Sequence, residues 1–276
     1  IRHFFRNQHS TRASTACRSF YGIKMRVVYC AQFRDSSGYG VAARGYLKAI
    51  DHFLENNDSD LDLRIHPITF EGRDNLPEEE AALNAKYSME EVDFLDEDFI
   101  AIWHLPAPSL LVHQQRHKTE WPLTERIIRN AKRLVNLAAW ESEGIPQEWN
   151  KVYEGFNFDA IIAPSEWNKE VFSDSTENMN CYRLPHIIEP KTIASVKPQI
   201  NGKFATESFE DKFVIFTMSQ WVHRKGFDKL IQAYCSEFVD EKGIALIIKT
   251  YGNFVGATSR DSICGNNVFY SGCFAI

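Results

Sequence analysis

From Arg26 onward, short apolar runs alternate with longer stretches in which apolar residues recur every three or four positions. That alternation predicts strands exchanging with helices, the signature of a parallel sheet covered on both faces. Strands are expected over 26–32, 61–69, 99–105, 133–139 and 160–163. Ala43, Tyr46, Leu47, Ile50, Phe53 and Leu54 fall at helical spacing after the first of these. Leu123, Ile127, Ile128, Ala131 and Leu134 predict a second helix that runs into the fourth strand. Ser165, following Pro164 and opening 166–172, reads as a helix N-cap with Glu166 in the first turn. The acids at 78–80 and 90–98 have few apolar neighbours, which predicts a solvated helix and loop.

Periodicity lapses over 187–212, where Pro190, Pro198 and Gly202 sit among polar residues, as in a linker. A second unit begins with a buried-type strand at 213–218. Phe227, Leu230, Ile231, Tyr234, Cys235 and Phe238 then mark the strongest helix of the chain. Further strands are expected at 245–250 and 268–271, after which the pattern stops at Ile276, short of a full doubly wound unit. The expected organisation is an extension at 1–24, an N-terminal Rossmann-like domain at 25–186, the linker, and a partial C-terminal domain at 213–276. In the extension, Arg2, Arg6, Arg12, Arg18 and Lys24 precede the first acid, Asp35. This is the composition of an organelle transit peptide, and also of an upstream stretch ahead of a start at Met25.

Composition narrows the function classes. Hydrophobic residues make up 44% of the chain and charged residues 25%, which suits a folded globular protein rather than a disordered one. A net charge of -6 argues against a nucleic-acid partner, so any anionic ligand has to be met by a local cluster of cations. The six cysteines contain no C-x-x-C pair, indicating neither a zinc site nor a disulfide framework and favouring a reducing, cytoplasmic setting. No apolar run approaches the roughly 20 residues that span a bilayer, which leaves peripheral membrane contact open.

Three places carry candidate chemistry. Arg224, Lys225 and Gly226 lie between a strand and the N-terminus of the strong helix. Orphan backbone N–H groups, the positive end of a helix dipole and two cations meet there, which suits a diphosphate; the same two residues also read as ordinary surface cations. Gly38-Tyr39-Gly40-Val41-Ala42-Ala43 satisfies G-x-G-x-x-A and admits a dinucleotide-dependent oxidoreductase. Against that, Phe33 to Ser37 separate the glycines from the strand, and Asp58 and Asp60 precede the second strand instead of ending it. His113 and His117 have metal-ligand spacing, but Gln114-Gln115-Arg116 between them lacks the glutamate of a zinc protease and adds a cation, so no metal is expected.

Phe213-Val214-Ile215-Phe216, followed by Arg224-Lys225-Gly226-Phe227-Asp228-Lys229-Leu230-Ile231, resembles the donor-site segment of family 4 (group 1) GT-B glycosyltransferases. Asp35 to Arg44 is similar to the glycine-rich turn after the first strand of those enzymes. Ala139-Trp140-Glu141 through Pro146, Asp159 to Trp167, and Leu184-Pro185-His186 follow in the family's order. The resemblance covers about Met25 to Ile276 and implies an α/β protein of two Rossmann-like domains facing a cleft, the second truncated.

That resemblance further implies a retaining transfer of a hexose from a UDP- or GDP-linked donor to a glycan, polysaccharide or lipid-linked acceptor, with no cofactor and no metal. It places Lys225 on the donor phosphates with Arg224 and Gly226, His104 beside the transferred sugar, and Gly38, Tyr39, Gly40, Glu141 and Ser165 along the cleft. Where many relatives carry a Gly-Arg pair at the strand end, this chain has Ser219-Gln220. The glutamate-containing motif of the family would lie beyond Ile276. A non-catalytic, glycosyltransferase-like binding partner is therefore the alternative expectation.

Overall fold

Val27, Val28, Tyr29, Cys30 and Ala31 are all buried, so the first apolar run is covered on both faces, as a central parallel strand must be. In the computed structural model, which describes residues 25–35, 37–70, 76–89, 97–176, 179–188, 212–238, 240–251, 269–270 and 273–275, this run is β1 (Met25–Ala31). It lies in a six-stranded parallel sheet with β2 (Leu61–Pro67), β3 (Ile100–His104), β4 (Arg133–Leu137), β5 (Ala160–Ala163) and β6 (Asn180–Arg183). The order is β2-β1-β3-β4-β5-β6.

Alternate side chains of each strand enter two separate cores, as the period of two requires. Val27, Tyr29, Ala31, Leu63 and Ile65 pack with Ala43, Tyr46 and Leu47 of α1 (Gly38–Asn56) and with Tyr87 of α2 (Glu78–Tyr87). Val28, Cys30, Ala101, Trp103, Ile161 and Ala163 face the other way. They meet Leu110 of α3 (Ser109–Arg116), Ile127 of α4 (Trp121–Asn130), Trp149 and Val152 of α5 (Gln147–Gly155), and Phe172 of α6 (Glu166–Ser175). This is a Rossmann-like α/β domain. Burying a residue such as Trp103 or Phe172 here stabilises the fold by roughly 2–3 kcal/mol.

Several details depart from the expected pattern. Helices α3 and α5 and strand β6 were not anticipated, because each is short and only two or three of its residues face the core. The acids at 78–80 do open a helix, but Glu80 is not solvated: it pairs with Arg44 at 2.6 Å and Lys48 at 2.9 Å. The residues at 90–96, the extension at 1–24 and most of the linker, 189–211, lie outside the described residues.

The chain divides into two compact units between Ala194 and Ser195. The second contains β7 (Phe213–Gln220), α7 (Phe227–Glu237), β8 (Ile244–Tyr251), β9 (Phe269–Tyr270) and β10 (Cys273–Ala275). Its sheet order is β7-β8-β10-β9, with β7 parallel to β8 and the other pairs antiparallel. Expected to be buried, β7 instead exposes Phe213, Phe216 and Met218 by 57–70%. It is an edge strand, and α7 covers only the face on which Ile215, Leu246 and Ile248 meet Phe227 and Tyr234. Among the described residues, no helix is long and apolar enough to cross a membrane.

Candidate functional site

Because the six strands of the first unit are parallel, the loops leaving β1, β3, β4 and β5 emerge at one edge. The order places β2 on one side of β1 and β3 on the other, which makes the β1/β3 boundary the topological switch where such sheets bind ligands. The loop after β1 is built by hydrogen bonds. Arg44, buried, donates to the carbonyls of Phe33 (3.3 Å) and Asp35 (2.6 Å), and Asn84 donates to Phe33 as well. The Asp35 carboxylate accepts from the Ser37 N–H at 2.8 Å, and the Ser37 hydroxyl caps α1 by accepting from Gly40 N–H at 3.0 Å.

The two glycines of this turn differ in what they do. A Cβ at Gly40 would lie 2.4 Å from the Asp35 carbonyl oxygen and 2.8 Å from that of Gln32, so only glycine lets the loop fold back on the helix. Gly38 faces open space. Tyr39, between them, accepts from the Ala139 N–H (3.1 Å) and donates to its carbonyl (3.2 Å), tying α1 to the loop after β4. Burial, with the Glu141 charge adding to it, pushes the Tyr39 phenol up to about 12.

His104, at the end of β3, is almost fully enclosed, only 1% exposed. Its Nδ1 shares a 2.6 Å hydrogen bond with the Tyr29 hydroxyl, and the rings of Tyr29, Tyr39 and Tyr46 surround it at 5.5–5.8 Å. Burial, reinforced by His186, lowers the imidazole to about 3, so it is neutral at physiological pH. The backbone on either side is held by Asn136, whose amide donates to the carbonyls of Trp103 and Leu105, both at 2.8 Å, and accepts from the Tyr153 hydroxyl at 2.9 Å. Tyr46 extends the cluster by donating towards the carbonyls of Leu184 and Pro185, beyond β6.

Glu141 is exposed in the loop that follows β4, and that loop is positioned by Asn168. The Asn168 amide accepts from Trp140 N–H and donates to the Trp140 carbonyl, each at 2.9 Å, so it copies the pairing of a strand neighbour. Ser165 caps α6 through the Asn168 N–H at 3.1 Å. Its hydroxyl is thereby occupied in starting the helix. Among the described residues no acid stands at the end of β2, which runs out at Pro67 into Ile68-Thr69-Phe70.

In the second unit, His223–Lys225 form a single 3-10 turn that Gly226, in the left-handed conformation (φ 64°), joins to α7. Arg224 and Lys225 are exposed. No side chain caps α7, and Leu230 N–H is the first to bond back within the helix, to Gly226. The N–H groups ahead of it are those a helix offers to an anion, with the carboxylate of Asp228 in the same turn as a competing negative charge. Trp221 stacks on Phe227 with centroids 4.7 Å apart, closing the turn from the side.

The structure thus gathers Gly38, Tyr39, Gly40, His104, Glu141 and Ser165 along one sheet edge of the first unit, while Arg224, Lys225 and Gly226 belong to the second. Asn136, Asn168 and Tyr46 position that edge and were not anticipated. Their partners lie 28–139 residues away in sequence for the bonds that matter, beyond the reach of any local pattern. No protein-family model matches the chain, and comparison with curated proteins finds no match.

Proposed function

We propose that this chain is a nucleotide-sugar-dependent, retaining hexosyltransferase, with a UDP- or GDP-linked sugar as donor and a glycan, polysaccharide or lipid-linked acceptor. The observation that carries the reading is the turn at Arg224, Lys225 and Gly226. Two exposed cations, a left-handed glycine and an uncapped helix N-terminus converge at the carboxyl end of a parallel strand. In a chain of net charge -6 this is a local exception suited to a diphosphate. Lys225 would neutralise the charge that grows on the leaving diphosphate, so its contribution is larger in the transition state than in the ground state. No metal is required for that role. On the first unit, the glycine-rich turn, the backbone at His104 and the Glu141 loop would serve the acceptor.

Assays of hydrolysis and transfer across UDP- and GDP-hexoses test the reading directly. Turnover of one of them is expected, and Lys225→Ala should reduce kcat/KM for it by about a hundredfold, the scale of losing one electrostatic donor to a developing anion. Absence of turnover with every donor, together with unchanged nucleotide binding by Lys225→Ala, would refute it.

One observation favours a second reading, that of a non-catalytic nucleotide-sugar-binding partner. The His104 ring is enclosed and its Nδ1 engaged, as in a packed histidine. Donor binding sensitive to Lys225→Ala without turnover would select this alternative.

A further inference from the structure

Helix α3 ends beside a group of three side chains that the proposed reaction does not use. The ligand atoms offered by His113, His117 and Glu120 all lie within 4.8 Å of one another. His113 is fully buried on the last turn of α3. His117 is the residue at which the helix stops, its N–H donating to the His113 carbonyl at 2.9 Å. Glu120 follows on the short connection to α4, and its own N–H donates to the His117 carbonyl at 3.0 Å. The two imidazoles stack with centroids 5.0 Å apart, and Phe70 packs edge-on against both.

The hydrogen bonds around Thr124 define the chemical state of His113. The Thr124 hydroxyl donates to the Glu120 carbonyl (3.3 Å), which leaves its lone pairs for His66 Nε2 at 2.8 Å and His113 Nε2 at 3.1 Å. A hydroxyl has one proton to give, and with that proton on the Glu120 carbonyl both imidazoles donate to Thr124 from Nε2. His113 is then the tautomer whose Nδ1 carries a bare lone pair, and that Nδ1 is buried without a hydrogen-bond partner. A buried acceptor with nothing to accept is costly unless something else occupies it. An imidazole whose second nitrogen donates to a fixed oxygen is also the usual state of a metal-ligating histidine.

The geometry points to a divalent-cation site of the zinc class formed by His113 Nδ1, His117 and Glu120, with a fourth position for water. Two imidazoles and a carboxylate are a ligand set that Zn2+ accepts in tetrahedral geometry, at about 2.0–2.2 Å from each donor atom. Ligand atoms around such an ion stand roughly 3.3 Å apart, a distance derived from those bond lengths, so closure needs a shift of the outer two. Those two are able to move: His117 is half-buried and Glu120 exposed, while His113 is anchored by Thr124. Reading only the interval between the histidines misses the carboxylate, because it lies three residues beyond the second one. An ion here would fasten the end of α3 to the start of α4, and Thr124 would act as the positioning residue for His113.

Calorimetric titration of the full chain with Zn2+ after chelator treatment tests the site, with Co2+ absorption as a probe of geometry. One ion per chain is expected, with a tetrahedral Co2+ spectrum, and affinity should fall at least tenfold in His117→Ala and in Glu120→Gln. Thr124→Val should cost 10–100-fold while Thr124→Ser retains binding, the range seen when an outer-shell partner is lost. Since His113→Ala removes a core side chain, the two outer ligands carry the test. Zn2+ binding by the wild type no stronger than by the His117→Ala, Glu120→Gln double variant would overturn the assignment. Lys225→Ala should bind Zn2+ normally, which separates this site from the donor-phosphate reading.

Discussion

The sheet edge of the first unit and the Arg224–Gly226 turn of the second offer contrasting ways to prepare a site. At the sheet edge, buried side chains hold the backbone around His104 and Tyr39: Asn136 between two carbonyls, Arg44 on the β1 loop, Asn168 on Trp140. At the turn, two cations and a helix N-terminus stand in solvent with no side-chain cap. The difference teaches where substitutions act. Interlocked polar groups in a low-dielectric interior are expensive to disturb, so changes at the first place are felt as stability. Charges in water cost little to remove, so changes at the second are felt by a ligand.

The largest expected effect is on the interlocked side. Asn136→Leu leaves the Trp103 and Leu105 carbonyls and the Tyr153 hydroxyl without their partner, and urea unfolding should show a loss of roughly 3 kcal/mol or more. Lys225→Ala, despite its effect on donor use, should leave the same unfolding midpoint within about 0.5 kcal/mol. A marked loss of stability there would erase the contrast.

Next comes the pair of glycines. Gly40→Ala forces a methyl group into the Asp35 and Gln32 carbonyls and should destabilise by roughly 2 kcal/mol. Gly38→Ala meets nothing within 4 Å and should be near neutral by thermal melt. Equal effects at the two positions would mean that the loop is not packed as described.

Smallest at neutral pH is an effect that grows as the solution is acidified. His104 takes its proton at about 3 in the folded chain against 6.5 in the unfolded one. Below 6.5 the unfolded state therefore binds the proton that the folded state refuses. Its contribution is fully present above 6.5 and is lost as pH falls from there toward 3, at about 1.4 kcal/mol per pH unit. Replacing His104 by Asn should flatten the stability profile in that window by this slope; an unchanged slope would place the histidine in solvent.

Sequence periodicity reached the parts of this molecule that are long and apolar. β1, with five buried residues in a row, and α1, with an unbroken 3.6-residue stripe, were legible because burial alone dictates them. α3 was not, since its core-facing residues are Leu110 and the polar His113, and two prolines, Pro106 and Pro108, punctuate its start. β6, Asn-Cys-Tyr-Arg, has no apolar run because it is a sheet edge. Of the candidate site, the glycine-rich turn and the Ser165 cap were legible because their partners are three to five residues away. Asn136 and Asn168 look like any polar residue in sequence, and only the folded sheet brings their partners to them.

Trp221 is the sole tryptophan after Ala194, and its ring lies stacked on Phe227 across the base of the Arg224–Gly226 turn. The second unit therefore contains its own optical probe. A phosphate bound at this turn should change the surroundings of this indole, and the part of the emission change that Trp221→Phe abolishes, against the five other tryptophans of the chain, should report that event without any label.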